Sequence, residues 1–282
     1  MSIQNFNKTY WEAKLQVSLE KIHVAASVAN KSYQGTLKNL DDEVKIIQIG
    51  DVNINAFTRR MTLIRQEMSD ASMKLKADQP YYFDFDVNDV DAVQEKANIL
   101  TATTNKAAYG FRDTADTYML GLYAQAGLTS YATGTTPWDV TSLNVQDVLL
   151  DIQEKMARVP REGRFIICPQ WFHSKLESAM LTNKQDNNTV FTNGKVDRIA
   201  GFDILLSENV SANSTTTWDQ TRIIAGVRGE SFAYADAILK IEAFRPEAGF
   251  EDAVKGQYVF GAKILRPDMT CVAYCDKTAE AA

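Results

Sequence analysis

Residues 81–94 read YYFDFDVNDVDAVQ, and the hydrophobic period changes within this stretch. Over 81–87 it is two: Tyr81, Phe83, Phe85 and Val87 share one face of an extended chain, while Tyr82, Asp84 and Asp86 share the other. From Val90 it becomes the three-and-four spacing of a helix. That stripe runs through Val93, Ala97, Leu100, Thr104, Ala108, Phe111, Ala115, Tyr118 and Leu122. No proline interrupts 90–126, and Gly110 and Gly121 are the only weak points. At 1.5 Å per residue the helix would be roughly 50 Å long. Globular helices average ~11–12 residues, so this length calls for an architectural reason.

Upstream, VKIIQI (44–49), NINAF (53–57), MTLIRQ (61–66) and PYYFDFDV (80–87) read as strands. Arg59, Arg60, Arg65, Glu67, Asp70, Lys74, Lys76 and Asp78 make the stretch between them a charged, extended excursion. A long hairpin of this kind is marginally stable alone, so it is expected to lie across a partner subunit. Before it, Thr9 and Glu12 fit a capping box. Trp11, Leu15, Leu19, Ile22 and Ala26 then form an apolar helical stripe, with Lys14, Glu20 and Lys21 opposite. This arm must dock on its own subunit or on a neighbour. Trp11, Leu15, Arg59, Arg60, Arg65 and Glu67 are therefore the candidate subunit-contact residues.

Downstream, LTSYATGTTPWDVTS (128–142) is turn-rich and marks a boundary. A helix over 143–157 follows, with Val148, Leu149, Ile152 and Met156 at helical spacing. Strand RFIIC (164–168), a helix opening at Pro169, a polar loop over 182–198, and strands FDILLS (202–207) and RIIAGV (222–227) complete a compact α/β unit. AILKIEAF (237–244), a turn at Arg245-Pro246, QYVFGAKIL (257–265) and MTCVAY (269–274) close the chain as strands.

The composition is that of a globular protein: 45% hydrophobic and 23% charged over 282 residues. No apolar run approaches the ~18–20 residues of a membrane helix, and the N-terminus lacks a secretory pattern, so the chain is expected to stay in the cytosol where it is made. With 30 basic and 36 acidic residues the net charge is −6, and no basic cluster exceeds Arg59-Arg60. Tight nucleic-acid binding is disfavoured, leaving only loose contact with packed DNA. Cys271 and Cys275 would lie ~13 Å apart on a strand, too far to bridge. Together with Cys168 they are expected to be buried, reduced thiols, and with two histidines a zinc site is not expected.

Two motifs point elsewhere. Gly229-Glu-Ser231-Phe-Ala233 is one residue short of a nucleophile elbow, which would make Ser231 a hydrolase nucleophile. Its base would be a histidine downstream, but His23 and His173 both precede it, so an ordinary turn serine is expected. Asp84, Asp86, Asn88 and Glu95 occupy positions 1, 3, 5 and 12 of a calcium loop. Asp89 stands where that loop needs glycine, so strand-face and helix-start carboxylates are the favoured reading. No P-loop, dinucleotide fingerprint or metalloprotease helix occurs, and no cofactor is expected.

The order of elements, with YYFDFDVNDVDAVQ (81–94), GKVDRIAGFDILLSENV (194–210) and FRPEAGFEDAVKGQYVFGAKILRPD (244–268), resembles the Hong Kong 97 fold of tailed-phage major capsid proteins. The resemblance implies an α+β fold with an N-arm (1–43), an E-loop and flanking strands (44–89) and a spine helix in a peripheral domain (90–127). An α/β axial domain (128–235), closing strands (236–266) and a C-terminal strand and tail (267–282) would follow. It also implies a shell-forming, non-enzymatic protein of the virion, assembled in the host cytoplasm as hexamers and pentamers around double-stranded DNA. Scaffolding, portal and decoration proteins would be partners, and no membrane is involved. An encapsulin-like compartment shares the fold and is the alternative.

Overall fold

The computed structural model describes residues 24–34, 39–49, 54, 56, 59, 70–88, 99–130, 137–182, 191–192, 195–196, 198–214, 219–245 and 251–277. Helix α1 (Ala25–Val28) precedes strands β1 (Glu43–Ile49), β2 (Asp70–Lys76) and β3 (Gln79–Asn88), and then helix α2 (Ile99–Gly121). Strands β4 (Leu128–Ser130) and β5 (Trp138–Asp139) lead to helix α3 (Val145–Lys155), β6 (Arg164–Cys168) and helix α4 (Gln170–Thr182). The short strands β7 (Phe191–Thr192), β8 (Lys195–Val196) and β9 (Arg198–Ile199) come next. After them run β10 (Phe202–Leu206), β11 (Ala212–Ser214), β12 (Asp219–Val227), β13 (Phe232–Phe244), β14 (Glu251–Ile264) and β15 (Cys271–Asp276). The result is the mixed α+β class that the sequence implied.

The alternation in 81–87 becomes one strand of an antiparallel sheet ordered β13-β14-β3. Tyr81 lies opposite Tyr258 and Phe83 opposite Gly256, so the aromatic positions share a face. That face packs on α2: Phe111 stacks on Tyr258 at 5.0 Å and meets Phe83 at 5.7 Å, and Tyr118 sets its edge to Phe260 at 5.6 Å. Aromatic pairs at these separations add specific attraction to the burial of their area. Gly256 is dictated by this packing, because a Cβ there would sit 2.4 Å from the Phe83 ring.

A second, mixed sheet is ordered β4-β15-β12-β6-β10-β9, with β5 beside β15 and β11 beside β12. Helices α3 and α4 cover one face through Val148, Leu149, Ile152, Phe172 and Leu176. The other face meets α2 and the first sheet, where Phe165, Ile167, Ile224 and Val272 join Met119, Leu120, Phe232 and Phe260 in one core. Strand β6 is buried at every position, as a central strand covered on both faces must be.

Several boundaries differ from those read in the sequence, each for a local reason. The helix over 143–157 is α3, Val145–Lys155, and the carbonyls after it are taken up by a buried arginine. Arg164 donates from Nε to Pro160 O at 2.9 Å and from Nη2 to Met156 O and Val159 O, both at 2.6 Å. The strand over 269–274 begins at Cys271, because Pro267–Met269 form a 3-10 turn. The polar loop over 182–198 contains β7 and β8. Ile54 and Ala56 lie in no strand, while the rest of NINAF and all of MTLIRQ fall outside the described residues.

Candidate assembly surfaces

Three joints hold the parts of the subunit in place and so determine which surfaces it offers. The first is built on Asp116 of α2, 1% exposed beside the apolar stripe. Its Oδ1 accepts the Ala25 N–H at 2.7 Å, at the start of α1. Its Oδ2 accepts from Ser207 Oγ at 3.2 Å and from Asn209 Nδ2 at 3.4 Å, in the segment that follows β10. Asn209 Nδ2 also donates to Asp113 Oδ1 at 2.7 Å. One carboxylate thus ties the root of the N-terminal arm and the β10 end of the second sheet to the long helix.

The second joint lies nearby. The hydroxyls of Tyr234 on β13 and Tyr258 on β14 are hydrogen-bonded to each other. Tyr258 donates to Asp236 Oδ2 at 3.0 Å, and Gln34 Nε2 donates to Asp236 Oδ1 at 2.6 Å. Burial pushes both phenols well above the ordinary tyrosine range, so they act as neutral hydrogen-bonding groups. A cavity of about 540 Å³ opens above them, between 26–34, α2 and the sheet.

The third joint roots the hairpin of β1 and β2, paired antiparallel from Glu43↔Lys76 to Ile49↔Asp70. Ile46, Leu75 and Ala77 pack on Ala233, Ala235, Val259 and Leu265, on the sheet face opposite α2. Gly261 makes the seat: a Cβ there would lie 2.1 Å from the Lys76 carbonyl oxygen. Ion pairs Lys74–Glu43 and Lys76–Asp41, each 2.7 Å, flank the root. Farther along the excursion Arg59 is exposed, and Ile54 is 96% exposed.

The predicted contact residues Arg60, Arg65, Glu67, Trp11 and Leu15 lie outside the described residues. Of the calcium-pattern residues, Asp84 and Asp86 are exposed on β3 and Asn88 ends that strand, while Glu95 lies outside. Among the described residues no cluster of three or more His, Cys, Asp or Glu side chains is placed to hold a metal. Ser231 is fully buried. Its Oγ accepts the Val227 N–H at 2.7 Å and donates to Met269 O at 3.3 Å, which makes it a lock on the turn before β13. His173 is buried on α4 with Nδ1 3.4 Å from Glu177, and His23 lies outside the described residues. The sequence reading missed Asp116, Tyr234, Tyr258 and Arg164. Only Asp116 and Arg164 carried a signal, a charge set into an otherwise apolar pattern.

A family model of phage capsid proteins matches residues 79–273, more than half of the chain. The chain belongs to the phage capsid protein family. Solved structures agree on the fold. A chain from Mycobacterium phage Che8 is 22% identical with a TM-score of 0.76, over 99% of this chain and 100% of that one. The capsid structure of cyanophage P-SCSP1u matches at 15% identity and TM-score 0.74, over 96% and 93%. The capsid of Ralstonia phage GP4 matches at 12% and 0.65, over 100% and 98%. No curated protein sequence matches. This capsid protein is a structural component of the head shell and of the virion, and it works by contact with copies of itself. Phage capsids, rather than the encapsulin-like compartment or a Ser231 hydrolase, are what the comparisons favour.

Proposed function

We propose that this chain is the major subunit of a closed head built from hexamers and pentamers around packaged double-stranded DNA, and that it carries no catalytic activity. One observation supports this most. The β1–β2 hairpin is fixed at its root by Leu75, Ala77 and Gly261, yet farther out it presents Ile54 at 96% exposure beside the charged turn of Arg59. A two-stranded ribbon is marginal alone, so an arm rooted this firmly and bare farther out supports burial of its outer part against another molecule. Arg59, Arg60, Arg65 and Glu67 then set the geometry of that contact, and Trp11 and Leu15 dock the N-arm. The segments 1–43, 44–89, 90–127, 128–235, 236–266 and 267–282 serve as arm, E-loop, spine, axial unit, closing strands and C-terminal strand.

The net charge of −6 supports loose rather than tight contact with the enclosed DNA. Assembly takes place in the host cytoplasm, with scaffolding, portal and decoration proteins as further partners. The buried, doubly bonded Ser231 hydroxyl supports the absence of catalysis, since a nucleophile needs a free, activated oxygen. Sedimentation of the purified chain tests the proposal. Hexamers, pentamers or closed shells are expected, and a compact monomer at every salt and protein concentration would overturn it.

A further inference from the structure

No two arginines adjoin after Arg60, yet RVPREGR (158–164) sets one at every third position, and the fold gathers others to them. Arg164 opens β6 opposite Val227, the last residue of β12, so Arg228 lies at the same end of the second sheet. The Arg228 N–H donates to Gly163 O at 2.9 Å. Strand β10 starts there as well: Asp203 pairs with Phe165, and Arg198 on β9 pairs with Asp203. Arg158 and Arg161 stand between α3 and β6. Five guanidinium groups therefore share one end of the sheet, in a chain whose net charge is −6.

Their charge is only partly matched. Asp203 is divided between Arg198 at 3.7 Å and Arg228 at 3.4 Å. Arg158 and Arg161 are exposed, and neither forms an ion pair with a described residue. Arg164 is 2% exposed and gives Nε and Nη2 to the carbonyls of Met156, Val159 and Pro160. Its Nη1 has no hydrogen-bond partner among the described residues. Arg161 and Arg164 line one cleft of about 330 Å³ with Leu150, Gln153, Glu154 and Ala157. Burial, and then the neighbouring Arg161, push the Arg164 pKa down, as befits a cation short of counter-charge.

An anion supplies that counter-charge, and the fixed fork of an arginine suits phosphate oxygens. A protein partner fits less well. Interface cores are depleted in charge and anchored by large apolar groups, and the one such side chain lining the cleft is Leu150 on α3. No aromatic ring lines it, so it offers contact to phosphate without base stacking.

We infer that this arginine end of the second sheet is where the subunit touches the phosphate backbone of the enclosed duplex DNA. Arg158 and Arg161 are the accessible contacts, and Arg164 holds the loop that carries them. The inference rests on the reading of the chain as a DNA-filled head and names the surface that meets the DNA. A local surplus of positive charge on an acidic chain gives a contact that is weak, independent of sequence and sensitive to salt.

Fluorescence anisotropy of a labelled DNA duplex with the full-length chain, from about 50 to 200 mM salt, tests it. R158Q/R161Q should weaken binding about tenfold at the lowest salt and make the slope of log K on log salt shallower by ~1.8, two contacts at ~0.9 each. K106Q/R112Q removes the same charge from exposed positions on α2 and should stay within about twofold of the parent. Equal losses from both pairs would reduce the effect to net charge and overturn the patch. So would parental affinity in R158Q/R161Q, or no binding by the parent at the lowest salt. Should R158Q/R161Q melt early, R158Q alone decides, with a slope shallower by ~0.9. Shell yield by sedimentation separates the two readings, and R158Q/R161Q should match the parent. Shells lost from a variant that melts like the parent would make the patch a contact between subunits, overturning the DNA assignment and leaving the head standing. A parent chain that forms no shells would overturn the head reading, and the anisotropy series would still decide the patch.

Discussion

Asp116→Ala tests whether the three-way joint on the long helix holds the subunit together. The substitution removes the acceptor of the Ala25 N–H, a donor on a residue with no exposed surface. An orphaned buried donor costs about 1–3 kcal/mol. Ser207 and Asn209 lose one bond each, about 1 kcal/mol apiece, although Asn209 keeps Asp113. The total is about 3–5 kcal/mol, and for a chain of this size each kcal/mol lowers the melting midpoint by about 2–4 °C. A fall of about 6 °C or more is therefore expected in the unassembled subunit. Asp116→Asn keeps an oxygen for Ala25 and should lose less than half as much. Asp113→Ala, which removes the part-buried bond from Asn209, should cost about 1 kcal/mol. Amide exchange should speed up at Ala25 in the alanine variant alone. A midpoint for Asp116→Ala within about 1 °C of the parent, or equal losses from Asp113→Ala, would refute the joint.

Two further outcomes follow from the same packing. Gly261→Ala sets a Cβ against the Lys76 carbonyl, a backbone atom that cannot swing aside. It should cost about 1–3 kcal/mol and lift the hairpin root, read as faster amide exchange at Leu75 and Ala77 with that of β6 unchanged. Burial pushes the Cys168 and Cys271 thiols up to about 12 and Cys275 higher still, so all three should resist thiol reagents at pH 8 until the chain is unfolded. The folded state keeps these protons while the unfolded chain releases them above pH ~8.5, so stability should decline as pH rises past that point. Melting midpoints that held level from pH 8 to pH 11 would contradict it.

The switch of period in 81–94 was readable because it is local. Tyr81, Phe83 and Phe85 alternate along one strand, and the stripe through Phe111, Ala115 and Tyr118 lies on the face of α2 that meets the sheet. The second unit was readable for the same reason, since α3 and β6 carry their own periods. Long-range pairing left no such mark. Nothing near Tyr234 announces that its hydroxyl meets that of Tyr258 on the next strand, and nothing near Leu128–Ser130 announces that the strand pairs with Cys271–Ala273. The same holds for surface patches: Arg158, Arg161 and Arg164 never adjoin in the sequence, and only the pairing of β6 with β12 and β10 shows that Arg228 and Arg198 stand at the same end of the sheet.

The most direct test of the central claim is an electron micrograph of the purified chain, taken across a range of salt and protein concentration. Closed shells of uniform diameter, or rings of five and six subunits, are the predicted result. Fields of separate compact monomers under every condition, from a chain whose melting shows it to be folded, would contradict the account.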